Sequence, residues 1–145
     1  MVNNTNLYFR GYNNTIAHYN FVFSHLPPEL MDTLVVNGCS AGGLATFTWL
    51  ETIGNYVLNA NPKVKVIGIP DAGFFVDYAS NITGRNDYGR NIQAVTELVN
   101  INTPLPNSKC VADNQANPHY CLMAEYLVKY ITIPFFVNQN LYDEW

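Results

Sequence analysis

A serine between two glycines, placed directly after a short apolar run, is the feature that most constrains the fold. Residues 34–36 are apolar, residues 34–37 are predicted to form a buried strand, and residues 38–42 have the spacing Gly-x-Ser-x-Gly. A helical pattern begins at Ala41. This order of strand, tight turn and helix is the layout of a nucleophile elbow. We therefore expect Ser40 to occupy a strained turn that exposes its hydroxyl above a sheet.

The elbow layout predicts a role for each of its residues. Gly38 and Gly42 are expected to keep side chains out of the space where the strand and the helix nearly touch. The N–H of Ala41, at the start of the helix, is expected to face the oxyanion that forms when a carbonyl is attacked. The residues alone therefore indicate a serine hydrolase with Ser40 as its nucleophile.

Strand and helix patterns alternate along the chain, which is typical of an α/β domain with a mainly parallel sheet. Apolar residues three and four apart predict helices near residues 16–26, 41–58, 92–99 and 122–130. Apolar, partly β-branched runs predict strands at residues 34–37, 64–69 and 133–137. Residues 103–118 are expected to be irregular. We predict one partial α/β-hydrolase-like domain over residues 1–145, with helices on both faces of a sheet that three strands leave incomplete.

The composition narrows the functional class. The chain is 48% hydrophobic and only 12% charged, which fits a globular domain. Its net charge of −4 comes without a basic cluster, which argues against nucleic acid or an anionic membrane surface as a partner. No apolar run approaches the ~20 residues that span a bilayer. No Cys and His spacing indicates a metal site, and we expect a monomer without a cofactor.

The three cysteines allow two interpretations. Cys110 and Cys121 bracket a short loop that contains Asn and Pro. A disulfide that closes this loop would stabilise the fold by about 3 kcal/mol in the chain-entropy model. Two free thiols in a reducing compartment are the alternative. Cys39, inside the elbow, is expected to be a small buried residue.

Five blocks of the chain resemble the pectin acetylesterase family, which also contains the Notum carboxylesterases. They lie in the family's order at residues 7–11, 37–45, 71–77, 110–121 and 135–143, so the resemblance covers nearly the whole chain. It implies an α/β-hydrolase with a Ser, Asp, His triad in that chain order. Ser40 matches the nucleophile, Asp143 matches the acid that orients the histidine, and the Ala41 N–H matches an oxyanion donor.

The resemblance also implies a reaction and a setting. Ester hydrolysis would proceed through an acyl-enzyme on Ser40, without a cofactor. The plant-type members imply an acetyl ester on a pectic polysaccharide as substrate, and the Notum branch implies a fatty acyl ester on a protein. An extracellular or secretory location and the pairing of Cys110 with Cys121 are implied as well, although residues 1–6 have no signal-peptide character. Asp71 and Gly73 are expected to line the pocket or to fix the turn there.

Two parts of the family pattern have no match in these residues. A Gly-rich segment with a tryptophan, which carries further oxyanion donors, is expected before residue 1, and the catalytic histidine is expected after residue 145. His18, His25 and His119 all precede Asp143, so their chain order is wrong for the base. We therefore expect an internal piece of a longer esterase. A degenerate homologue that binds without reacting and an unrelated α/β-hydrolase, such as a lipase, are the alternatives.

Because no histidine follows Asp143 in these residues, we predict that the 145-residue chain alone does not hydrolyse esters. Loss of a triad base costs roughly 10⁶ in turnover in a serine protease. Hydrolysis of p-nitrophenyl acetate by the isolated chain and by its Ser40→Ala variant should therefore both equal the background rate. Turnover that disappears in the Ser40→Ala variant would contradict this expectation.

Overall fold

The computed structural model of the chain describes residues 8–98 and 105–142. Helices and strands alternate through its first half, as predicted. Short helical segments dominate its second half. The helices are α1 (Gly11–His25), α2 (Ala41–Ala60), α3 (Asp87–Leu98), α4 (Ser108–Asp113) and α5 (Ala124–Leu127), with 3₁₀ turns at Pro28–Leu30, Pro118–Leu122 and Val128–Tyr130, and the strands are β1 (Thr33–Cys39) and β2 (Lys65–Asp71).

The two strands form a parallel pair along their whole length. Thr33 lies opposite Lys65 at one end, and Cys39 lies opposite Asp71 at the other. The connection between them runs through α2, because parallel strands need a long crossover. The carboxyl ends of both strands therefore meet at one edge of the sheet, which is the edge that carries the elbow.

The third predicted strand lies beside β2, but as isolated bridges rather than a continuous ladder. Gly68 N–H donates to Pro134 O, and Phe136 N–H donates back to Gly68 O, both at 2.9 Å. The next donor on this side of β2 would be Pro70, which has no N–H, so the ladder is interrupted there. Pairing resumes where Asn138 N–H donates to Pro70 O at 3.1 Å. The segment thus runs parallel to β2 and leaves the sheet at the same edge as the elbow.

The core lies between the sheet and α2. Phe47 and Leu50 of α2 are fully buried, and a Cβ at Gly68 of β2 would overlap the Leu50 side chain. On the opposite face of the sheet, Val35 of β1 is 49% exposed. The predicted α/β class with a parallel sheet is confirmed. The sequence predicts helices on both faces of the sheet. In the part of the chain that the structure describes, α2 covers one of these faces.

Two helical segments differ from the expectation. The prediction that residues 103–118 are irregular is wrong for α4, where the N-cap Asn107 accepts the Cys110 N–H through its Oδ1 at 3.0 Å. Asparagine is among the strongest N-cap residues, and Asn107 was the missed signal. Residues 122–130 were expected to form one helix. They form short helical turns instead, because Met123 adopts an extended conformation before α5.

A disulfide joins α4 to the following 3₁₀ turn. Cys110 and Cys121 are bonded with their Cα atoms 5.8 Å apart, which confirms the predicted pair. Both cysteines are buried. The Asn114 amide donates to Cys110 O at 2.8 Å and to the Tyr130 hydroxyl at 3.1 Å. The bridge and this amide together hold α4 against the segment that leads to the third strand.

Loss of the disulfide is expected to lower the free energy of unfolding by about 3 kcal/mol, because the bridge closes a short loop in the unfolded chain. Urea unfolding of the wild type and of the Cys110→Ser/Cys121→Ser variant measures this loss. Cys39→Ser is the matched control, since it removes the exposed free thiol and should change stability by less than about 0.5 kcal/mol. An unchanged midpoint in the double variant would contradict a stabilising bridge.

Candidate active site

Ser40 is the single residue that turns the chain from β1 into α2. Its φ of 57° and ψ of −120° lie in a region that residues with a side chain rarely adopt. Its hydroxyl forms no capping bond to α2, and the residue is exposed. The strained, exposed turn predicted from the sequence is therefore confirmed, and the role of Ser40 as a nucleophile stays a prediction.

Two backbone hydrogen bonds hold Ser40 in this conformation. Its N–H donates to Asp71 O at 2.9 Å, and its carbonyl accepts the Leu44 N–H at 3.0 Å. The first bond joins the ends of β1 and β2, and the second belongs to the first turn of α2. Ala41 lies in that turn, where helix N–H groups have no intrahelical carbonyl partner. Its N–H therefore suits the predicted role of oxyanion donor.

The first turn of α2 and the loop after β2 approach too closely for side chains between them. A Cβ at Gly43 would overlap Asp71 O and lie 2.9 Å from Gly73 Cα. A Cβ at Gly38 would overlap the backbone of Gly42, whereas a Cβ at Gly42 would meet nothing within 4 Å. The expectation that Gly42 excludes a side chain is therefore wrong. The crowding falls on Gly38, Gly43 and Gly73, and it supports a structural role for Gly73.

Asp71 connects the elbow to the segment beyond the third strand. Its backbone oxygen accepts the Ser40 N–H, and its Oδ1 accepts the Asn138 Nδ2–H at 2.7 Å. The Asn138 carbonyl in turn accepts the Ala72 N–H at 2.7 Å. Of the two roles expected for Asp71, these contacts support fixing the turn.

Cys39 is exposed, so the expectation of a buried residue is wrong. Alternate residues of a strand share a face, and Cys39 therefore lies with Val35 on the face that α2 does not cover. A hydrogen bond to the Asp71 side chain, followed by the charge of that carboxylate, raises the pKa of the Cys39 thiol. The thiol is thus held in its protonated, weakly nucleophilic form next to Ser40.

A pocket of about 770 Å³ opens beyond the carboxyl ends of β2 and the third strand. Phe74 and Phe75 form one wall, and Gln139 lies on the other. The Phe74 N–H donates to Gln139 Oε1 at 3.0 Å and so ties the walls together. Tyr88 of α3 packs against Phe75 with 5.7 Å between ring centroids. Ligand sites of open α/β sheets lie at this edge.

Sequence reasoning placed the 71–77 block at this edge but gave no role to Gln139 and Asn140. Both line the pocket. The signal that could have found them is their position directly after the third strand, since the ends of neighbouring parallel strands converge.

The described residues do not bring an acid and a histidine of the predicted triad to Ser40. Asp143 lies outside them, so its role as the acid stays a prediction. His18 and His25 lie on α1, and His25 Nδ1 is 2.9 Å from Phe21 O. His119 is buried. Within the described ranges, none of these rings hydrogen-bonds Ser40.

Across residues 8–98 and 105–142, no three His, Cys, Asp or Glu side chains are grouped so that they could hold a metal ion. The same ranges contain no helix that is both long and apolar enough to cross a bilayer. The 20-residue α2 packs against both strands instead.

Sequence comparisons match this chain to one family and to curated plant relatives. The model of the family described as Pectinacetylesterase matches residues 1–145. Pectin acetylesterase 7 of Arabidopsis thaliana is 29% identical over 77% of this chain and 27% of its own length. Pectin acetylesterase 5 of the same plant is 28% identical over 99% of this chain and 32% of its own length. The chain thus spans about a third of the length of these curated relatives.

Solved structures show the same fold. Two crystal forms of the Wnt deacylase Notum from Drosophila superpose with TM-scores of 0.69 and 0.71 at 20% and 23% identity. They cover 85% and 89% of this chain, and 37% and 38% of the Notum chains. The likeness confirms the predicted α/β-hydrolase-like fold class.

Gly43→Ala is expected to destabilise the protein by about 1–3 kcal/mol, because the added methyl group would force α2 and the β2 loop apart. Gly42→Ala is the matched control. Its methyl group has open space, and alanine favours a helix over glycine by up to about 1 kcal/mol. Urea unfolding compares the two variants. Equal stabilities would contradict the close contact at Gly43.

Proposed function

The chain belongs to the pectinacetylesterase family, and from that premise we propose that it carries the nucleophile of a carboxylic ester hydrolase. The observation that carries this proposal is the backbone of Ser40, with φ at 57° between a parallel strand and a helix. A turn of this kind raises a serine hydroxyl above a sheet for acyl transfer. The names of the relatives, pectin acetylesterase and Wnt deacylase, both denote the removal of an acyl group.

The proposed mechanism forms an acyl-enzyme. Ser40 Oγ attacks the ester carbonyl carbon while the histidine that the family pattern places after the acid takes the hydroxyl proton. The carbonyl oxygen becomes an oxyanion and accepts the Ala41 N–H. As the ester bond breaks, the histidine returns the proton to the leaving alcohol, and Asp143 orients the ring throughout. Water, which loses a proton to the same histidine, then attacks the acyl carbon, the bond from Ser40 Oγ to that carbon breaks, and the carboxylic acid leaves as Oγ regains its proton from the histidine.

The proposed substrate is an acetyl ester on a polysaccharide. The pocket of about 770 Å³ lies at the same edge of the sheet as Ser40, although Ser40 is not among its lining residues. It is much larger than an acetyl group requires, so we assign it to part of the alcohol side of the ester. Its lining combines aromatic rings, which pack on the apolar faces of sugars, with amides, which bond sugar hydroxyls. The plant relatives are named for acetylated pectin.

Two other functions have an observation in their favour. The fold shared with Notum and the aromatic pocket wall favour an acylated protein as an alternative substrate. A degenerate homologue that keeps the elbow turn at Ser40 and binds without reacting is the other alternative. For either function we propose a secretory or extracellular setting, which the Cys110–Cys121 disulfide supports.

A fluorophosphonate probe on the complete natural protein tests the nucleophile. Such probes react with activated serines, so Ser40 should be labelled and the Ser40→Ala variant should not. Mass spectrometry of the labelled peptide identifies the residue. Failure of the folded protein to label at Ser40 would contradict the hydrolase and support the binding homologue.

Substitution of Asp143 in the same protein tests the acid. Replacing the triad Asp by Asn in a serine protease lowers kcat by about 10⁴, and we expect a loss of that order for Asp143→Asn. Glu144→Gln is the matched control and should leave kcat unchanged. A loss in Glu144→Gln with full activity in Asp143→Asn would move the role to Glu144.

A further inference from the structure

We propose that the pocket at the carboxyl edge of the sheet selects an uncharged polysaccharide, in which uronic acids are methyl-esterified or absent, over a free polyuronate. This inference rests on the proposed function, which supplies the acetylated sugar chain as the substrate. It adds that the pocket distinguishes esterified from free uronic acids in that chain.

The described residues that line the pocket include no Asp, Glu, Lys, Arg or His. Four of them are aromatic, three carry side-chain amides and two are aliphatic. Burial, with the charges of nearby Asp77 and Glu125, raises the pKa of the lining Tyr88 to about 12, so its phenol stays neutral. A carboxylate that leaves water for such a wall loses hydration without gaining a cationic partner. A methyl ester avoids this loss.

Two acidic side chains lie behind the aromatic wall. Glu125 Oε2 accepts the Asp77 N–H at 3.1 Å, and Asp77 Oδ2 accepts the Tyr126 hydroxyl at 3.4 Å. Asp77 also lies under α3, where a Cβ at Gly89 would overlap its carboxylate. The same two charges act on the Tyr88 hydroxyl. The electrostatic field of these two carboxylates at the pocket is negative and opposes the binding of a further negative charge.

Neither Arg85 nor Arg90, the two arginines of this region, lines the pocket. Arg85 forms an ion pair with Asp87 at 3.0 Å. The wall does offer groups for neutral sugars. Asn81 and Asn140 bring amides that both donate and accept hydrogen bonds. The lining therefore fits hydroxyl and ester groups and lacks a partner for a free uronate.

The test measures binding, because binding does not require the triad histidine. Two acetylated galacturonic acid trimers, one fully methyl-esterified and one with free carboxylates, are titrated by calorimetry at physiological salt into the Ser40→Ala variant of the complete natural protein, in which the proposed nucleophile is removed so that the acetyl esters are retained. We expect the esterified trimer to bind about tenfold more tightly, the ratio that corresponds to ~1.4 kcal/mol.

Two lysine variants isolate the charge of the pocket wall. Leu141 lines the pocket and is 93% exposed, whereas Leu30 is 74% exposed and precedes β1, at the opposite edge of the sheet. Each substitution adds one positive charge without removing a buried side chain. Leu141→Lys should raise the affinity for the free-acid trimer and narrow or reverse the preference. Leu30→Lys is the matched control for net charge and should leave the preference unchanged.

Equal affinities for the two trimers, a preference for the free acid, or no binding of either would overturn the proposal. Tighter binding of a long-chain fatty acid ester than of either sugar would also overturn it and assign the pocket to an acyl chain. The fluorophosphonate experiment tests the hydrolase independently of this preference. A chain that prefers the esterified trimer, in a protein whose Ser40 is not labelled, would support the charge selectivity and contradict the hydrolase.

Discussion

The close contact between the first turn of α2 and the loop after β2 is the constraint on which the site depends. Gly43 and Gly73 have no side chains, so the two backbones can touch. At the same point the Ser40 N–H bonds Asp71 O at 2.9 Å. This bond and the first turn of α2 hold Ser40 at a φ of 57°, a strain that an isolated turn would release. If the two backbones moved apart, Ser40 could leave its strained conformation, and the pocket wall that follows Gly73 would be displaced at the same time.

The central position of β2 extends this constraint to the third strand. Pro70 interrupts the ladder between them, and the pairing is secured again at the carboxyl edge. There the Ala72 N–H bonds Asn138 O and the Asn138 side chain bonds Asp71 Oδ1, both at 2.7 Å. Asp71 therefore contacts both the residue proposed as nucleophile and the start of the segment that leads to Asp143. Three hydrogen bonds therefore fix the relative placement of these parts: Ser40 N–H to Asp71 O, Ala72 N–H to Asn138 O, and the Asn138 amide to Asp71 Oδ1.

The pocket shows how a fold-level rule produces a chemical preference. Parallel strands end at one edge, so the segments that leave β2 and the third strand must form the walls of any cleft there. Those segments bring aromatic and amide side chains, and acidic Asp77 lies behind them. The matched relatives are named for the removal of acyl groups. The uncharged wall in front of two carboxylates is what points to a neutral sugar chain.

The sequence by itself determined the parts of this protein that obey local rules. The elbow at Ser40, the bounds of α1 and α2 and the parallel α/β class follow from periodicity and glycine spacing within a few residues. Tertiary structure decided the exposure of Cys39, the crowding at Gly43 rather than Gly42, and the pocket wall that includes Gln139. Each of these depends on contacts between residues distant in the chain, or on which face of a strand is covered. No local pattern encodes such contacts, because they arise only when the two strands and α2 pack together.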